Sequence, residues 1–210
     1  MTTTPGTLYI ISAPSGAGKT SLVKALLQAD IDLSLSISYT SRQPRPEEID
    51  GRDYHFVTRQ VFEQKLQEDE FLESAELYGN FYGTSKKWIN ETMMSGRDIL
   101  LEIDSQGARQ VRAVFPAAVG VFVLPPSLEV LEMRLRHRAQ DSLDAISRRL
   151  AAAREELSHA GEYNYIIIND KLDRALQDLK CIIQVERLKT AKQLVRHHGL
   201  LAQLTRRSVL

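Results

Sequence analysis

Ala13, Pro14, Ser15, Gly16, Ala17, Gly18, Lys19 and Thr20 set two glycines, a lysine and a hydroxyl at the spacing a polyphosphate requires. Successive backbone NH groups in such a loop can encircle phosphate oxygens, and a following helix adds the partial positive charge of its N-terminus. Lys19 can then reach the outer phosphates, and the Thr20 hydroxyl can ligate Mg²⁺. The usual pattern is glycine, four residues, then Gly-Lys-Ser/Thr, and Ala13 stands where the first glycine would be. An alanine fits there if its backbone stays at negative φ, whereas Gly16 and Gly18 hold the positions that need positive φ or close phosphate approach. A glycine-rich turn with a chance lysine is the alternative. The strand-like run Leu8 to Ser12 before the loop, and Leu22, Val23, Leu26 and Leu27 on helical spacing after it, favour the phosphate loop.

A second set of residues with chemistry follows at Arg42 and Arg45, three apart in a stretch that Pro44 and Pro46 hold extended. Arginine offers a fixed fork of donors suited to phosphate oxygens, so the pair could clamp a second phosphate, with Tyr54 and Tyr82 adding phenols or a ring face. A solvated loop with incidental arginines is the alternative, and these residues alone do not separate the two.

The elements that must position both sets read as α/β. Strand-like apolar runs recur at Leu8 to Ser12, Ser34 to Ser38, Ile99 to Ile103, Val119 to Leu124 and Tyr165 to Ile168, separated by helical patterns. That alternation predicts a parallel sheet with helices on both faces. Helical stripes run through Leu128, Leu131 and Leu135, through Leu143, Ile146, Leu150, Ala153 and Leu157, and through Leu172, Leu176, Leu179 and Ile183. Two regions break the alternation. Thr40 to Thr84, dense in Arg, Pro, Glu, Gly and Tyr, reads as an inserted, mostly β lobe with short strands near Tyr54 to Val57 and Phe71 to Tyr78. Arg134 to Arg149, rich in arginine between two helices, reads as a mobile flap.

Composition narrows the rest. With 210 residues, 43% apolar and 26% charged, the chain suits one globular core rather than two average domains. Its 27 basic and 27 acidic residues leave no net charge to drive nonspecific nucleic-acid binding. The single cysteine, Cys181, can form no internal disulfide or multi-cysteine metal site, and the neighbouring Leu179, Ile182 and Ile183 predict a small core residue. The start, MTTTPG, lacks the basic and apolar parts of a signal peptide, and Ala117 to Leu124 is too short to span a bilayer, so the expectation is a cytoplasmic protein without membrane contact. In the C-terminal stretch, Lys189, Lys192, Arg196, His197, His198, Arg206 and Arg207 invite a nucleic-acid reading. Helix-end basic residues complement the dipole, however, and Leu194, Leu200, Leu201 and Leu204 predict packing against the body or against a partner subunit in a homo-oligomer.

The order Ser38, Arg42, Pro44, Arg45, Glu48, Gly51, Tyr54, Phe56, then Phe71-Leu72-Glu73, then Gly79 to Thr84 (GNFYGT), then Glu102 to Gly107 (EIDSQG), resembles guanylate kinase, and the bacterial enzymes in particular. The resemblance runs from Leu8 to Asp170. It implies a P-loop core with a parallel sheet flanked by helices (5–37, 92–132 and 155–210), an inserted GMP-binding lobe (38–91) and a helical lid (133–154). It also implies transfer of the γ-phosphoryl group of MgATP to GMP. ATP would lie on Ala13 to Ser21 and near Asn169, and the GMP phosphate on Arg42, Arg45, Tyr54 and Tyr82. The guanine would lie on Ser38, Glu73, Thr84 and Asp104. Lys19, Arg42, Arg138 and Arg149 would serve catalysis, and Glu102 would join Thr20 at Mg²⁺ through water. Glu73 suits guanine because a carboxylate accepts from the ring NH and the exocyclic amine together, while adenine presents an acceptor there. Sites built on hydrogen bonds reject such analogues by about 10⁴-fold or more. Without the resemblance, Glu68, Asp69, Glu70 and Glu73 read as an exposed acidic helix end.

The chain departs from the family pattern in the lid, where the glycines that usually flank the arginine are His137 and Ala139 beside Arg138, and at Glu47, which replaces a glycine. Three rivals bear on the reading. A guanylate-kinase-like binding module without catalysis is opposed by the intact Gly16, Gly18, Lys19 and Thr20. A P-loop kinase for another acceptor is opposed by Glu73 with Thr84 and Asp104, and a motor-type NTPase by the Arg42 and Arg45 pair.

Overall fold

A computed structural model of the chain describes residues 4–77, 79–138 and 143–205, and within these not the side chains of 137–138, 143–147 and 205. Leu143 and Ile146 of the expected second stripe, Tyr78, Arg206 and Arg207 therefore lie outside the described side chains. Strands are Leu8–Ser12 (β1), Leu33–Leu35 (β2), Tyr39–Thr40 (β3), His55–Phe56 (β4), Phe71–Leu77 (β5), Asn80–Ser85 (β6), Asp98–Glu102 (β7), Val119–Leu124 (β8) and Tyr165–Ile168 (β9). Helices are Lys19–Ala29 (α1), Arg59–Gln67 (α2), Lys86–Met94 (α3), Ser105–Val114 (α4), Leu128–Arg138 (α5), Leu143–Ser158 (α6), Leu172–Arg187 (α7), Thr190–Arg196 (α8) and His198–Thr205 (α9), with a 3₁₀ turn at Ala160–Glu162.

A parallel sheet in the order β2-β7-β1-β8-β9 forms the core. Side chains alternate across a strand, so the apolar run of β1 feeds two layers. Tyr9 and Ile11 pack with Leu22, Val23 and Leu26 of α1 and with Ala175, Leu179 and Ile183 of α7. Leu8 and Ile10 pack on the other side with Ile99, Leu101, Ala108 and Val111, and with Ile89 of α3. Burying one such Leu or Ile contributes about 1.5–3 kcal/mol, which is why central strands tolerate no polar break. A second sheet, β4-β3-β6-β5, lies within 39–85, mostly antiparallel with one parallel pair, β3 on β4.

Several expectations are corrected. The strand expected at Ser34 to Ser38 is Leu33–Leu35, with Ser36 N still donating to the Leu100 carbonyl at 3.0 Å. Edge strand β9 leaves Ile166 and Ile168 exposed, so only the central strands are covered on both faces. Leu128 and Leu172, at the starts of their stripes, are exposed as well. Cys181 is exposed, not core: it sits two residues from the buried Leu179, about 200° round α7 from the face that packs. Leu194, Leu200 and Leu204 are exposed rather than packed on the body. What ties α8 down is polar: Lys192 donates to the Thr7 hydroxyl, and Gln193 Nε2 to the Arg187 carbonyl at 2.9 Å. Among the described residues no helix is long and apolar enough to cross a membrane.

Candidate active site

The loop from Ala13 joins β1 to α1 at the C-terminal edge of the sheet, where ligands bind in open α/β folds. Gly16 and Gly18 both adopt φ of 91°, and Gly18 is the N-cap of α1. Each has a second reason to be glycine. A Cβ at Gly16 would meet Leu131 and Leu135 at 3.1 Å, and one at Gly18 would stand 2.4 Å from Asn169 Nδ2. Asp69 is the sole non-glycine at positive φ among the described residues, so Ala13 keeps an ordinary backbone in place of the usual glycine. Pro14 accepts from Ala17 N at 3.1 Å to close the turn, while Ser15, Thr20 and Ser21 face solvent. Lys19 Nζ rests on the Ile103 carbonyl at 3.4 Å.

Asn169 supports this loop from below. Its Nδ2 donates to the Ala17 carbonyl at 2.8 Å, and Arg134 bridges the same carbonyl at 3.3 Å to the Asn169 carbonyl at 3.1 Å. Arg134 is a residue that sequence reasoning missed, since its spacing in α5 does not set it apart from Arg136, which pairs with Glu132 on the surface. The side chains of His137 and Arg138, and the whole of Ala139, lie outside the described residues. Arg149 is half-buried on α6.

At the end of β7, Glu102 Oε1 accepts from Thr20 Oγ1 at 2.8 Å. Two hard oxygen donors beside a phosphate loop suit Mg²⁺, which takes few protein ligands and retains much of its water.

The arginine stretch is organised by Glu48, whose role the sequence did not disclose. Its Oε1 accepts from Arg42 Nη2 at 2.9 Å and its Oε2 from Arg45 N at 2.7 Å, and Arg45 Nη1 stands 3.9 Å away. The Arg42 hydrogen bond holds the Glu48 carboxyl below its usual range, offsetting burial. Arg42 also lies over the Tyr54 ring at 5.5 Å, and Tyr54 meets Tyr82 edge-on at 5.9 Å. Burial, then the neighbouring Tyr82 and the Glu102 carboxylate, push the Tyr54 phenol up, so this cluster and Glu102 share one electrostatic space. Arg42, Arg45, Tyr54 and Tyr82 are thus brought together.

Tyr82 and Thr84 are two residues apart on β6 and project to one face. Thr84 is the cross-strand partner of Glu73 and donates from Oγ1 to Glu73 Oε1 at 2.6 Å. Glu73 is 5% exposed, on a strand rather than on the acidic helix end that its neighbours imitate. Burial pushes its carboxyl up to about 7, against the Thr84 hydrogen bond and with the Asp104 charge adding to the rise. Asp104 is the N-cap of α4, accepting from Gly107 N at 2.8 Å. A Cβ at Gly107 would lie 2.8 Å from Glu73 Oε2, so glycine there keeps the carboxylate in place. Ser38, half-buried, accepts His55 N on its carbonyl at 2.9 Å just before β3.

A glycine-rich loop at the head of α1, an arginine–tyrosine cluster and a buried carboxylate therefore lie on neighbouring elements, and the chain as a whole is similar to known proteins. The family profile described as Guanylate kinase matches residues 5–186. A guanylate kinase of Nitrosospira multiformis is 95% identical over 210 residues, covering 100% of both chains. One of Nitrosomonas europaea is 54% identical over 198 residues, 94% of this chain and 98% of that one. The crystal structure of guanylate kinase from Anaplasma phagocytophilum superposes with a TM-score of 0.75 at 32% identity, covering 90% of each chain. With the match extending from ahead of β1 to the end of α7 and so taking in both the loop and the carboxylate site, the chain belongs to the guanylate kinase family.

Proposed function

We propose that the chain transfers the γ-phosphoryl group of ATP to the phosphate of GMP, giving ADP and GDP in purine nucleotide metabolism, in the cytoplasm where both substrates occur. The observation that carries the reading is Glu73, buried and paired with Thr84 beside Asp104, on the same small sheet as Tyr82 of the arginine–tyrosine cluster. Glu73, Thr84, Asp104 and Ser38 hold the guanine. Arg42, Arg45, Tyr54 and Tyr82 hold its phosphate. The loop from Ala13 to Ser21 holds ATP, with Asn169 and Arg134 fixing its shape. Residues 38–91 act as the acceptor lobe and 133–154 as the lid.

A phosphate oxygen of GMP attacks the γ-phosphorus of ATP, and the bond from that phosphorus to the β–γ bridging oxygen breaks, its electron pair leaving with ADP. The acceptor needs no general base, since a phosphate monoester with a second pKa near ~6 is largely dianionic at neutral pH. What remains is to hold two repelling anions in line and to stabilise charge on the group in flight. Lys19, Arg138 and Arg149 do this on the donor side, and Arg42 and Arg45 on the acceptor side. Thr20 directly and Glu102 through water would hold Mg²⁺, which when bound neutralises charge on the β- and γ-phosphate oxygens. Closure of lid and lobe excludes the water that would otherwise hydrolyse ATP.

The test is ADP formation from MgATP with GMP, AMP, CMP, UMP or ribose 1,5-bisphosphate in turn, against an acceptor-free control. Stimulation by GMP alone is expected. Silence with GMP, or equal turnover with AMP, would refute the guanine role of Glu73.

A further inference from the structure

Glu156 stands near the end of α6 and reaches across to the first turn of α4. One carboxylate oxygen, Oε1, accepts from Ser105 N at 2.9 Å and from Ser105 Oγ at 2.8 Å. Ser105 is fully buried, and the Tyr163 phenol stands 3.2 Å from the same hydroxyl. An amide in the first turn of a helix has no partner within the helix, so a carboxylate there makes a charge-assisted bond that fixes both elements.

This first turn is also a wall of the base site. Asp104 precedes Ser105, and Gly107 abuts the Glu73 carboxylate. Towards the middle of α6 lies Arg149, assigned to the donor on the proposed reading. Arg149 lies seven residues before Glu156, two turns away on the same face and about 10 Å along the axis. Leu150 and Ala153 of α6 pack with Leu131 and Leu135 of α5, and those two leucines lie against Gly16 of the phosphate loop. A contiguous path of packed groups therefore runs from Glu73 and Gly107 through Ser105 and Glu156 along α6 to Gly16. The foot of α6 is tied to α4 again beyond Glu156, by Arg109 to His159 at 3.3 Å and by Arg112 to Glu162 at 3.0 Å, which leaves the contact at Ser105 as the one next to the base site.

We infer that Glu156 is a positioning residue that couples the two nucleotide sites, so that filling the base site raises affinity at the phosphate loop, and the reverse by the same factor. The inference rests on the reading of these sites as those of GMP and ATP. Coupling free energy is defined by a binding cycle, in which each nucleotide is titrated with and without the other.

The experiment is titration of the full chain with a non-hydrolysable ATP analogue and Mg²⁺, with and without saturating GMP, in the wild type, Glu156→Ala, Glu156→Gln and Ser105→Ala. Melting of each variant is followed alongside. In the wild type GMP should tighten analogue binding by about tenfold, within the range usual for coupled sites. In Glu156→Ala that ratio should fall below about twofold. Glu156→Gln keeps a carbonyl oxygen for Ser105 and should restore part of the ratio, and Ser105→Ala, which deletes one of the two donors, should lose part of it. These two milder variants decide the matter if Glu156→Ala does not fold. A ratio near one in the wild type overturns the inference, as does a wild-type ratio kept by every folded variant. Weaker binding of both nucleotides with the ratio intact makes Glu156 a structural brace and overturns it too. GMP-stimulated ADP formation by the wild type tests the underlying reading separately: turnover with an unchanged variant ratio sinks the coupling alone, and absence of turnover sinks both.

Discussion

A carboxyl group as buried as Glu73, with another carboxylate close by, resists ionising even with the Thr84 hydroxyl donating to it, and in the proposed complex guanine would add two NH donors. On the proposed reading, protons and GMP compete for one side chain. With the free carboxyl titrating at about 7, the KM for GMP should be flat above that pH and should rise below it, by about tenfold between pH 8 and pH 6. Glu73→Gln should weaken GMP use far more than ATP binding and should abolish this limb, and steady-state KM values at the two pH values check both. A wild-type KM that ignores pH would remove the ionised carboxylate from base recognition. For the folded protein without nucleotide the sign follows from the raised value. Ionisation of Glu73 withdraws stability from about pH 4.3 upward, fully so above about pH 7, and melting of Glu73→Gln should lack that decline. The sequence disclosed such residues unevenly. The phosphate loop was legible because each of its residues has a local duty that only a few side chains can perform. Glu73 was not legible by itself, because three acidic neighbours before it make a convincing solvated run. Its one local signal is that it interrupts Phe71, Leu72 and Ala75, all buried. Glu48, Arg134 and Glu156 act on partners from 3 to 117 residues away, and nothing in their own surroundings marks them.

Between elements, the docking of the small sheet on the core depends on how strand β5 is finished. It is an edge strand, and such an edge exposes backbone groups that need partners. Gln110 of α4 supplies them: Ser74 N donates to its Oε1 at 3.0 Å, and its Nε2 donates to the Ser74 carbonyl at 2.9 Å. One side-chain amide thus imitates a paired strand residue, one position from Glu73. Gln110→Ala should cost about 1–2 kcal/mol in denaturant unfolding, as two part-buried backbone groups lose their partners, and should raise the KM for GMP with little change for ATP. An unchanged midpoint with an unchanged KM would mean that water replaces the amide at no cost. The central strands were legible from uninterrupted apolar runs, which only a sheet covered on both faces buries. Strand β4 falls within the short run expected near Tyr54 to Val57, but β3, also two residues long, was not legible, because alternation needs a longer run than that to stand out from loop. Their pairing is set by Tyr82 and Gly83 of β6 on one side and by each other, which is tertiary information.

Across the whole molecule, β7 divides two tasks between its ends. Glu102 closes the strand beside Thr20, while Asp98 opens it about 13 Å away, four steps of an extended chain. Asp98 is 7% exposed and accepts from Thr7 N at 2.7 Å and from Arg187 Nε at 2.7 Å. The same guanidinium reaches Asp30 with Nη1 at 2.6 Å and Nη2 at 3.2 Å. Asp30 caps the end of α1 and Arg187 is the last residue of α7, so one side chain joins two helices to the start of a central strand. Removing it leaves a buried carboxylate uncompensated, which costs about 3–5 kcal/mol. For a chain of this length that lowers the melting temperature by roughly 6–20 °C. Arg187→Lys should recover only part of the loss, because an ammonium cannot span both carboxylates as the planar fork does. Arg187→Ala should nevertheless keep its KM for GMP and ATP when assayed well below its melting point, since Arg187 pairs with Asp98 and Asp30 at the end of β7 opposite Glu102 and the proposed nucleotide sites. A large fall in melting temperature with unchanged KM values would separate the end that holds the fold from the end that does the chemistry. A raised KM in folded protein would show instead that strain at Asp98 travels along β7 to Glu102.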